Sequence, residues 1–200
     1  SLSGNTVTYT PNANYSGSDS FTFKVGDGTS TSSAAIVSIT VSAVNDVPTA
    51  TVQSVTINED ATQTITLTGN DVDGDLLTYA LVSQPLHGNA VSNGSSVTYT
   101  PNVNYQGADS FAYTVSDGRA TSSEAAVSIT VMAVNDLPTV EDLTVAGIED
   151  EMAVVSLSGS DADGDELTYF LDTNLTQGTA SLNGLVVVFT PQPDYYGDDT

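Results

Sequence analysis

The chain has 200 residues, and its 25 acidic side chains outnumber two basic ones, which gives a net charge of −23 at pH 7. Repulsion between like charges excludes a nucleic acid partner and disfavours an anionic membrane surface. The lack of cysteine excludes disulfide bonds and thiolate metal sites. Since no apolar run approaches the roughly 18 residues of a membrane span, we expect no direct membrane insertion.

The sequence repeats with a period of 90 residues. Tyr9 in the segment VTYTPNANYSGSDSF returns as Tyr99 in VTYTPNVNYQGADSF, and Phe189 has the same place in VVVFTPQPDYYGDDT. More than half of residues 1–45 are identical to residues 91–135. Tandem copies are typical of spacers and binding arrays rather than catalysts, because catalysis needs one unique pocket.

This period predicts three segments. They are the C-terminal half of a repeat at 1–45, a complete repeat at 46–135 and the N-terminal two-thirds of a further repeat at 136–200. Because the chain begins and ends inside repeats, we interpret it as an excerpt from a longer array.

Within the complete repeat, apolar residues alternate with Ser and Thr, and Gly, Asn, Asp and Pro interrupt the pattern. Such alternation is typical of short strands with one buried face. It predicts seven strands, at about 51–57, 63–68, 76–82, 89–92, 96–100, 110–116 and 124–133. Seven short strands in one repeat favour an all-β fold of tandem Greek-key sandwiches of the Ig type, arranged end to end.

The boundary between repeats is a short segment, NDVP at 45–48 and NDLP at 135–138. Few residues separate the last strand of one repeat from the first strand of the next, and proline restricts the backbone further. We therefore expect a semi-rigid joint that something must hold.

Acidic and amide residues recur in four motifs at predicted strand ends. The joint contains Asn45, Asp46, Asn135 and Asp136; the end of the first strand is followed by Glu59, Asp60, Glu149 and Asp150; the DxDGD loop contains Asp71, Asp73, Asp161 and Asp163; and the sixth strand is flanked by Asp19, Asp109, Asp199, Asp27 and Asp117. Because a sandwich gathers its strand ends at two poles, these residues should meet where successive repeats touch. Carboxylate and carbonyl oxygens are the ligands that Ca²⁺ requires, so calcium is the predicted cofactor.

Transition metals are disfavoured at these positions, because they prefer His or Cys and the single His87 is replaced by Gln177 in the next repeat. Other interpretations of the acidic residues stay open. The DxDGD loop also fits an Asp-rich turn without metal, in which Asp75 and Asp165 are turn residues only. The repeated tyrosine of the NYxG motif fits a packed corner better than a sugar platform.

The acidic motifs resemble the calcium-binding pattern of cadherin repeats: Asn-Asp-x-Pro at the joint, an acidic step in the first strand, Asp-x-Asp after the second and Ser-Asp-Gly near the end. The phrase TYTPNxNYxGxDSFxYxVSDG followed by VSITVxAVNDxPT is similar to bacterial cadherin-like or Ig-like repeats of giant calcium-dependent surface adhesins. Val47 and Leu137 stand where the cadherin joint usually has a further Asn, which leaves the number of ions open.

This resemblance implies two clusters of calcium ligands, one at each joint. The first comprises Asp19, Asn45, Asp46, Asp71, Asp73 and Asp117, and the second comprises Glu59, Asp60, Asp109, Asn135, Asp136, Asp161 and Asp163.

The predicted function is that of structural extender repeats in a bacterial extracellular adhesin or filament, stiffened by calcium between neighbouring repeats. We expect no enzyme, since no His or Lys repeats near the many Ser and Thr residues as a base. Two alternatives stay open. One is a β-sandwich module that binds a host or surface glycan or a protein, and the other is a filament subunit that assembles with its own copies.

Overall fold

The computed structural model describes residues 2–172, 175 and 177–198, so the predicted acidic residue Asp199 lies outside the described part. The chain forms two compact units, unit 1 (Ser1–Met132) and unit 2 (Ala133–Thr200). The predicted repeat boundaries at 45/46 and 135/136 stay predictions. Strands and turns make up the described residues, and no helix among them is long and apolar enough to cross a membrane.

The strands follow one another along the chain with short turns between them. The first part of unit 1 contains β1 (Leu2–Ser3), β2 (Thr6–Val7), β3 (Gly17–Phe23) and β4 (Ala35–Val41). The rest of unit 1 contains β5 (Thr49–Ala50), β6 (Gln53–Asn58), β7 (Gln63–Thr66), β8 (Gly69–Asn70), β9 (Thr78–Leu81), β10 (Gly88–Asn93), β11 (Ser96–Pro101), β12 (Gly107–Ser116) and β13 (Ala125–Met132). Unit 2 contains β14 (Thr139–Val140), β15 (Ala153–Ser156), β16 (Gly159–Ser160), β17 (Gly178–Asn183) and β18 (Val186–Pro191).

Two sheets pack face to face in unit 1. One has the strand order β6-β13-β12-β9 and the other β10-β11-β7, and the chain crosses between them after β6, β7, β9 and β11. Only β6 and β13 pair in parallel within these sheets. Side chains of β13 alternate strictly between buried and exposed, as a strand with one face on a core requires. The core joins both sheets and includes Val97, Tyr99, Phe111, Tyr113 and Val127, each at most 1% exposed.

The all-β sandwich prediction is confirmed. Each of the seven predicted strands of the complete repeat has a counterpart, in β6, β7 and β9 to β13. The pattern missed one detail, because residues 49–50 and 69–70 form a separate two-stranded ladder, β5 with β8. Alternation of apolar and polar residues predicts only strands that contribute to the core, and the β5–β8 ladder contributes little to the core.

The β5–β8 ladder brings the joint and the DxDGD loop together. Thr49 pairs with Asn70 and Ala50 with Gly69, so the residues just before β5 lie beside those just after β8. A Cβ on Gly69 would lie 2.9 Å from the Thr49 carbonyl oxygen, so the two backbones approach closely only because this residue is glycine. The buried Tyr113 hydroxyl lies 2.6 Å from the Thr51 carbonyl oxygen and 2.7 Å from that of Thr68, next to the ladder.

Unit 2 builds the same ladder from its own residues. Thr139 pairs with Ser160 and Val140 with Gly159 in β14 and β16. A Cβ on Gly159 would lie 3.1 Å from the Thr139 carbonyl oxygen, as in unit 1. This ladder is therefore a feature of the repeat rather than of one copy.

We predict that Gly69→Ala lowers the unfolding free energy by about 1–3 kcal/mol, because the added methyl group must displace backbone at the ladder. Urea denaturation followed by circular dichroism measures this change. Gly147→Ala is the matched control, since its Cβ would meet nothing closer than the Ala153 Cβ at 3.6 Å. The control should change stability by less than about 0.5 kcal/mol, and equal losses in the two variants would contradict the prediction.

Candidate metal centres

The DxDGD loop of unit 1 folds around one carboxylate oxygen. Asp71 Oδ1 accepts hydrogen bonds from the backbone N–H of Asp73 at 2.9 Å and of Asp75 at 3.2 Å. Gly74, with φ of 78°, supplies the left-handed residue that lets the loop close. As a result, carboxylate oxygens of Asp71, Asp73 and Asp75 lie within 4.8 Å of one another.

The joint residues are bound to this loop. The backbone N–H of Asp46 donates to Asp73 Oδ2 at 2.7 Å. The Asn45 side-chain amide donates to the Asp46 carbonyl oxygen at 2.9 Å and to Asp117 Oδ2 at 2.8 Å. The joint therefore contacts two different loops of the sandwich through polar groups.

Asp117 shapes the turn that receives Asn45. Its Oδ1 accepts the backbone N–H of Arg119 and of Ala120, both at 2.6 Å. The hydrogen bonds from Ala120, Asn45 and Arg119, in that order of size, hold the pKa of the Asp117 carboxyl below its ordinary value. At neutral pH this residue therefore adds a full negative charge to the pole.

We name the set that these contacts bring together the first acidic cluster. It comprises Asn45, Asp46, Asp71, Asp73, Asp75 and Asp117. Asp71 Oδ2 is buried and has no hydrogen-bond partner among the described residues. Buried polar atoms are nearly always satisfied, so this oxygen fits a metal ligand, and an all-oxygen donor set fits calcium.

Unit 2 repeats the arrangement, and we name it the second acidic cluster: Asn135, Asp136, Asp161, Asp163 and Asp165. The Asp136 N–H donates to Asp163 Oδ2 at 2.7 Å, and the Asn135 amide to the Asp136 carbonyl oxygen at 2.7 Å. Asp161 Oδ1 accepts the N–H of Asp163 at 3.0 Å and of Asp165 at 3.3 Å. Oxygens of the three loop aspartates again lie within 4.8 Å of one another.

The sequence leaves open whether two members of these clusters, Asp75 and Asp165, are turn residues only. Asp75 and Asp165 form the turn, as expected, but each also directs a carboxylate oxygen into its cluster. The signal was present in the DxDGD spacing itself, since alternate loop residues point the same way when the first carboxylate caps the following N–H groups.

The structure gives Asp109 a different set of partners. It is 8% exposed, and its Oδ1 accepts the N–H of Leu86 at 3.0 Å and of Ser110 at 2.8 Å. Its Oδ2 accepts the N–H of His87 at 3.0 Å and the Tyr99 hydroxyl at 2.9 Å. Four donors occupy both oxygens, so Asp109 ties the β9–β10 loop to the core.

Asp19 occupies the equivalent position in the first part of unit 1. It accepts the Tyr9 hydroxyl at 2.8 Å and the Ser20 N–H at 2.7 Å. The repeat thus uses this aspartate as an acceptor for its tyrosine and its own strand. We leave both Asp19 and Asp109 out of the candidate metal centres.

The acidic step after the first strand is present in both units. Glu59 is 3% exposed, and its N–H donates to the Met132 carbonyl oxygen at 2.9 Å. Asp60 and Asp150 are exposed and take left-handed backbone, with φ of 59° and 65°. Glu149 is exposed beside Asp150 in unit 2. Participation of Glu59 and Asp60 in a site with the second acidic cluster stays a prediction.

The NYxG tyrosines form local corners. The hydroxyls of Tyr15, Tyr105 and Tyr195 each donate to the carbonyl oxygen three residues later, at 2.6, 2.7 and 2.7 Å. The Tyr105 ring also stacks on His87, with centroids 4.2 Å apart. In all three copies the tyrosine hydroxyl is therefore engaged in a hydrogen bond within the fold.

The sequence profile of the bacterial Ig domain matches residues 1–40, 45–130 and 135–200. The chain belongs to the bacterial Ig domain family. This membership confirms the resemblance to bacterial Ig-like repeats, and such domains are typically extracellular structural modules.

Several known proteins are similar to this chain in sequence or in fold. The integrin beta-like protein E of Dictyostelium discoideum is 31% identical over 169 residues, which is 73% of this chain and 9% of that protein. The protocadherin gammaB7 EC3-6 cis-dimer structure shares the fold, with a TM-score of 0.52 and 14% identity over 92% of this chain and 54% of that one. An endo-fucoidan hydrolase of glycoside hydrolase family 107 has a TM-score of 0.40 and 18% identity, over 92% of this chain and 30% of its own. That score carries no argument for hydrolysis by this chain.

We predict that Asp109→Asn destabilises unit 1 of this Ig array by about 2–4 kcal/mol at pH 7, because an amide donor replaces an acceptor among four donors. Burial raises the pKa of the Asp109 carboxyl, but bonds from Ser110, Tyr99, Leu86 and His87 outweigh it and lower the pKa below 3.8. A lowered pKa stabilises the folded state above the unfolded value and loses that contribution as the pH falls through the folded value.

The difference in unfolding free energy between Asp109→Asn and the parent chain should therefore shrink below about pH 3.8. Urea denaturation at pH 7 and pH 3 measures it. A difference that stays constant with pH would show that the ionised carboxylate is not the stabilising group.

Proposed function

We propose that the first and second acidic clusters bind calcium and that binding stiffens the joints between consecutive repeats of an extracellular adhesin or filament. The observation that supports this most strongly is the duplicated geometry. Asp46 and Asp136 each donate a backbone N–H to the third residue of a DxDGD loop at 2.7 Å, once in each of the two compact units. A solvated Asp-rich turn has no need to contact the joint, whereas a metal site shared with the joint does.

The charge of the clusters supports a cation as the ligand. Three carboxylate oxygens within 4.8 Å of one another repel strongly, and repulsion of this kind either raises a carboxyl pKa or recruits a cation. Calcium, when bound, supplies the neutralising charge and accepts six to eight oxygen ligands in a flexible arrangement. The residues themselves supply Asp71 Oδ2 as a buried ligand atom without another partner among the described residues.

The position of the joint residues supports a mechanical role. Asn45 and Asp46 contact loops that belong to the following sandwich, and they precede Pro48, whose side chain is fully buried. A ligand that holds the joint residues and the loop residues together therefore restricts the joint. Extracellular modules of this kind bind calcium with dissociation constants of about 0.1–1 mM, which suits the calcium concentration outside cells.

The array itself belongs to a larger protein in this proposal. The chain spans less than a tenth of the length of the curated relatives it matches, at 9% and 7%. A spacer role requires only that repeats continue on either side. The distal partner of such an adhesin is recognised elsewhere in the protein.

We predict that calcium raises the thermal midpoint of this chain by about 10 °C or more relative to a chelator. Saturation 100-fold above the dissociation constant stabilises the folded state by about 2.7 kcal/mol, and each kcal/mol shifts a small domain by several degrees. Asp71→Asn should remove the shift in unit 1 and Asp161→Asn the shift in unit 2. Both variants keep Oδ1, the atom that accepts the loop N–H groups.

Glu124→Gln is the matched control for the loss of one negative charge, since Glu124 is exposed and lies outside the clusters. Differential scanning calorimetry with about 10 mM calcium and then with a chelator provides the comparison. Equal midpoints in the two buffers for the parent chain would refute calcium binding. An equal calcium shift in the parent and Asp71→Asn, Asp161→Asn double variant would place the binding sites elsewhere.

We predict a second effect of calcium, on the shape of the array in solution. Small-angle X-ray scattering should give a larger maximum dimension in calcium than in chelator, because a flexible joint samples bent arrangements. The double variant Asp71→Asn, Asp161→Asn should scatter like the chelated chain in both buffers. A calcium-dependent midpoint without any change in dimension would leave a stabilising site but no stiffening.

A further inference from the structure

A basic side chain lies at the first acidic cluster. Arg119 is one of two basic residues in the chain, and it belongs to the turn that Asp117 shapes. Its Nη1 donates to Asn45 Oδ1 at 3.3 Å and lies 3.9 Å from Asp75 Oδ2. A positively charged side chain therefore contacts Asn45 and Asp75, two members of the cluster that we propose as a calcium site.

The turn does not require an arginine at this position. In the first part of unit 1, Asp27 builds the same turn by accepting the N–H of Thr29 at 2.8 Å and of Ser30 at 2.7 Å. Thr29 is the residue 90 positions before Arg119, so the repeat accommodates threonine there. The Thr29 hydroxyl donates to Asp27 Oδ1 at 2.8 Å, and Arg119 has a guanidinium in place of that hydroxyl.

We propose that Arg119 is a tethered counter-ion that sets the calcium affinity of the first acidic cluster, an inference that rests on the calcium function proposed above. Without calcium, the guanidinium offsets part of the repulsion among the cluster carboxylates and contacts the side chain of a joint residue. With calcium, the same charge opposes the divalent ion at the shared oxygens of Asn45 and Asp75. Arg119 therefore stabilises the calcium-free state and weakens binding, so the first site fills at a higher calcium concentration.

The exposure of the pair limits the size of this effect. The Arg119 side chain is 71% exposed and that of Asp75 40%, so water and salt screen their interaction. For one unit charge about 4 Å from the ligands of a divalent ion near the surface, we expect a change in dissociation constant of about three- to tenfold. The second acidic cluster provides an internal reference, since residues 133–200 contain neither Lys nor Arg.

Isothermal titration calorimetry with calcium on the full chain tests the proposal, in an Asp161→Asn background that leaves the first site as the one under study. Arg119→Thr should lower the dissociation constant about three- to tenfold, and Arg119→Lys should lower it less. The same change should vanish in 1 M NaCl, where the Debye length is about 3 Å. In an Asp71→Asn background, which retains only the second site, Arg119→Thr should leave the dissociation constant unchanged.

Thermal unfolding supplies a second signature that a purely structural role would not produce. In chelator, Arg119→Thr should lower the midpoint by about 1–4 °C, while it should increase the shift caused by calcium. If Asp161→Asn binds calcium and Arg119→Thr changes its dissociation constant less than twofold, the counter-ion role is wrong and the calcium function stands. If Asp161→Asn binds no calcium while the Asp71→Asn chain does, the function proposed for the first site fails together with this inference.

Discussion

A single carboxylate, that of Asp71, organises the pole of the repeat. One of its oxygens accepts the N–H groups of Asp73 and Asp75 and so winds the loop, while the other is buried without a partner among the described residues. The loop conformation therefore requires an oxygen acceptor at residue 71, and the three loop aspartates concentrate negative charge. The β5–β8 ladder then fixes where this charge lies, because Gly69 lets the strand after the joint approach the strand before the loop. The hydrogen bonds of the joint depend on the loop that Asp71 binds and on the close approach of the strands at Gly69. Asp161 and Gly159 have the same two roles in unit 2.

Aspartates of one repeat serve opposite purposes according to the donors around them. Asp109 receives one hydroxyl and three backbone N–H groups, so hydrogen bonds within the protein stabilise its negative charge, which contributes to folding. The aspartates of the DxDGD loop receive fewer donors and face one another, so hydrogen bonds within the protein offset less of their mutual repulsion. Asp117 lies between these cases, since its carboxylate accepts bonds from a turn and from the Asn45 amide but also belongs to the first acidic cluster. Counting acidic residues at a pole does not separate these roles, whereas counting the donors to each oxygen does.

Much of the fold follows from the sequence because burial imposes a period of two. The alternation at 124–133 matches β13, where every second side chain is buried, and the repetition of the same pattern fixes the remaining strands. The β8 strand escaped prediction because two residues are too few to show a period. The site was predictable in part: the joint and the DxDGD loop are local motifs, and the structure brings both together in each unit. The resemblance to cadherin repeats places Asp109 at the second joint, whereas its carboxylate in the structure accepts the hydroxyl of Tyr99, ten residues earlier in the chain. Its role as a metal ligand stays a prediction. Spacing along the chain shows which residues recur, but it does not show which hydrogen-bond donors bind their carboxylates in the folded structure.

Residues that neither pack in the core nor shape a turn are the ones free to differ between repeats. The Tyr99 ring packs directly on the Gly88 backbone, since a Cβ on Gly88 would lie 2.6 Å from that ring. The Phe189 ring packs on Gly178 in the same way in unit 2. The Asp of the DG turn is likewise fixed by the N–H groups it accepts, in Asp27 as in Asp117. The second residue after that Asp donates its backbone N–H to the Asp carboxylate in both copies, so threonine in one copy and arginine in another keep the same turn although their side chains bind different partners. In a tandem array, such positions allow each joint to acquire its own charge while every sandwich retains one framework. The framework sets the geometry of each acidic cluster. A single exposed side chain beside the cluster, such as Arg119, is therefore enough to give one joint a different charge from the next.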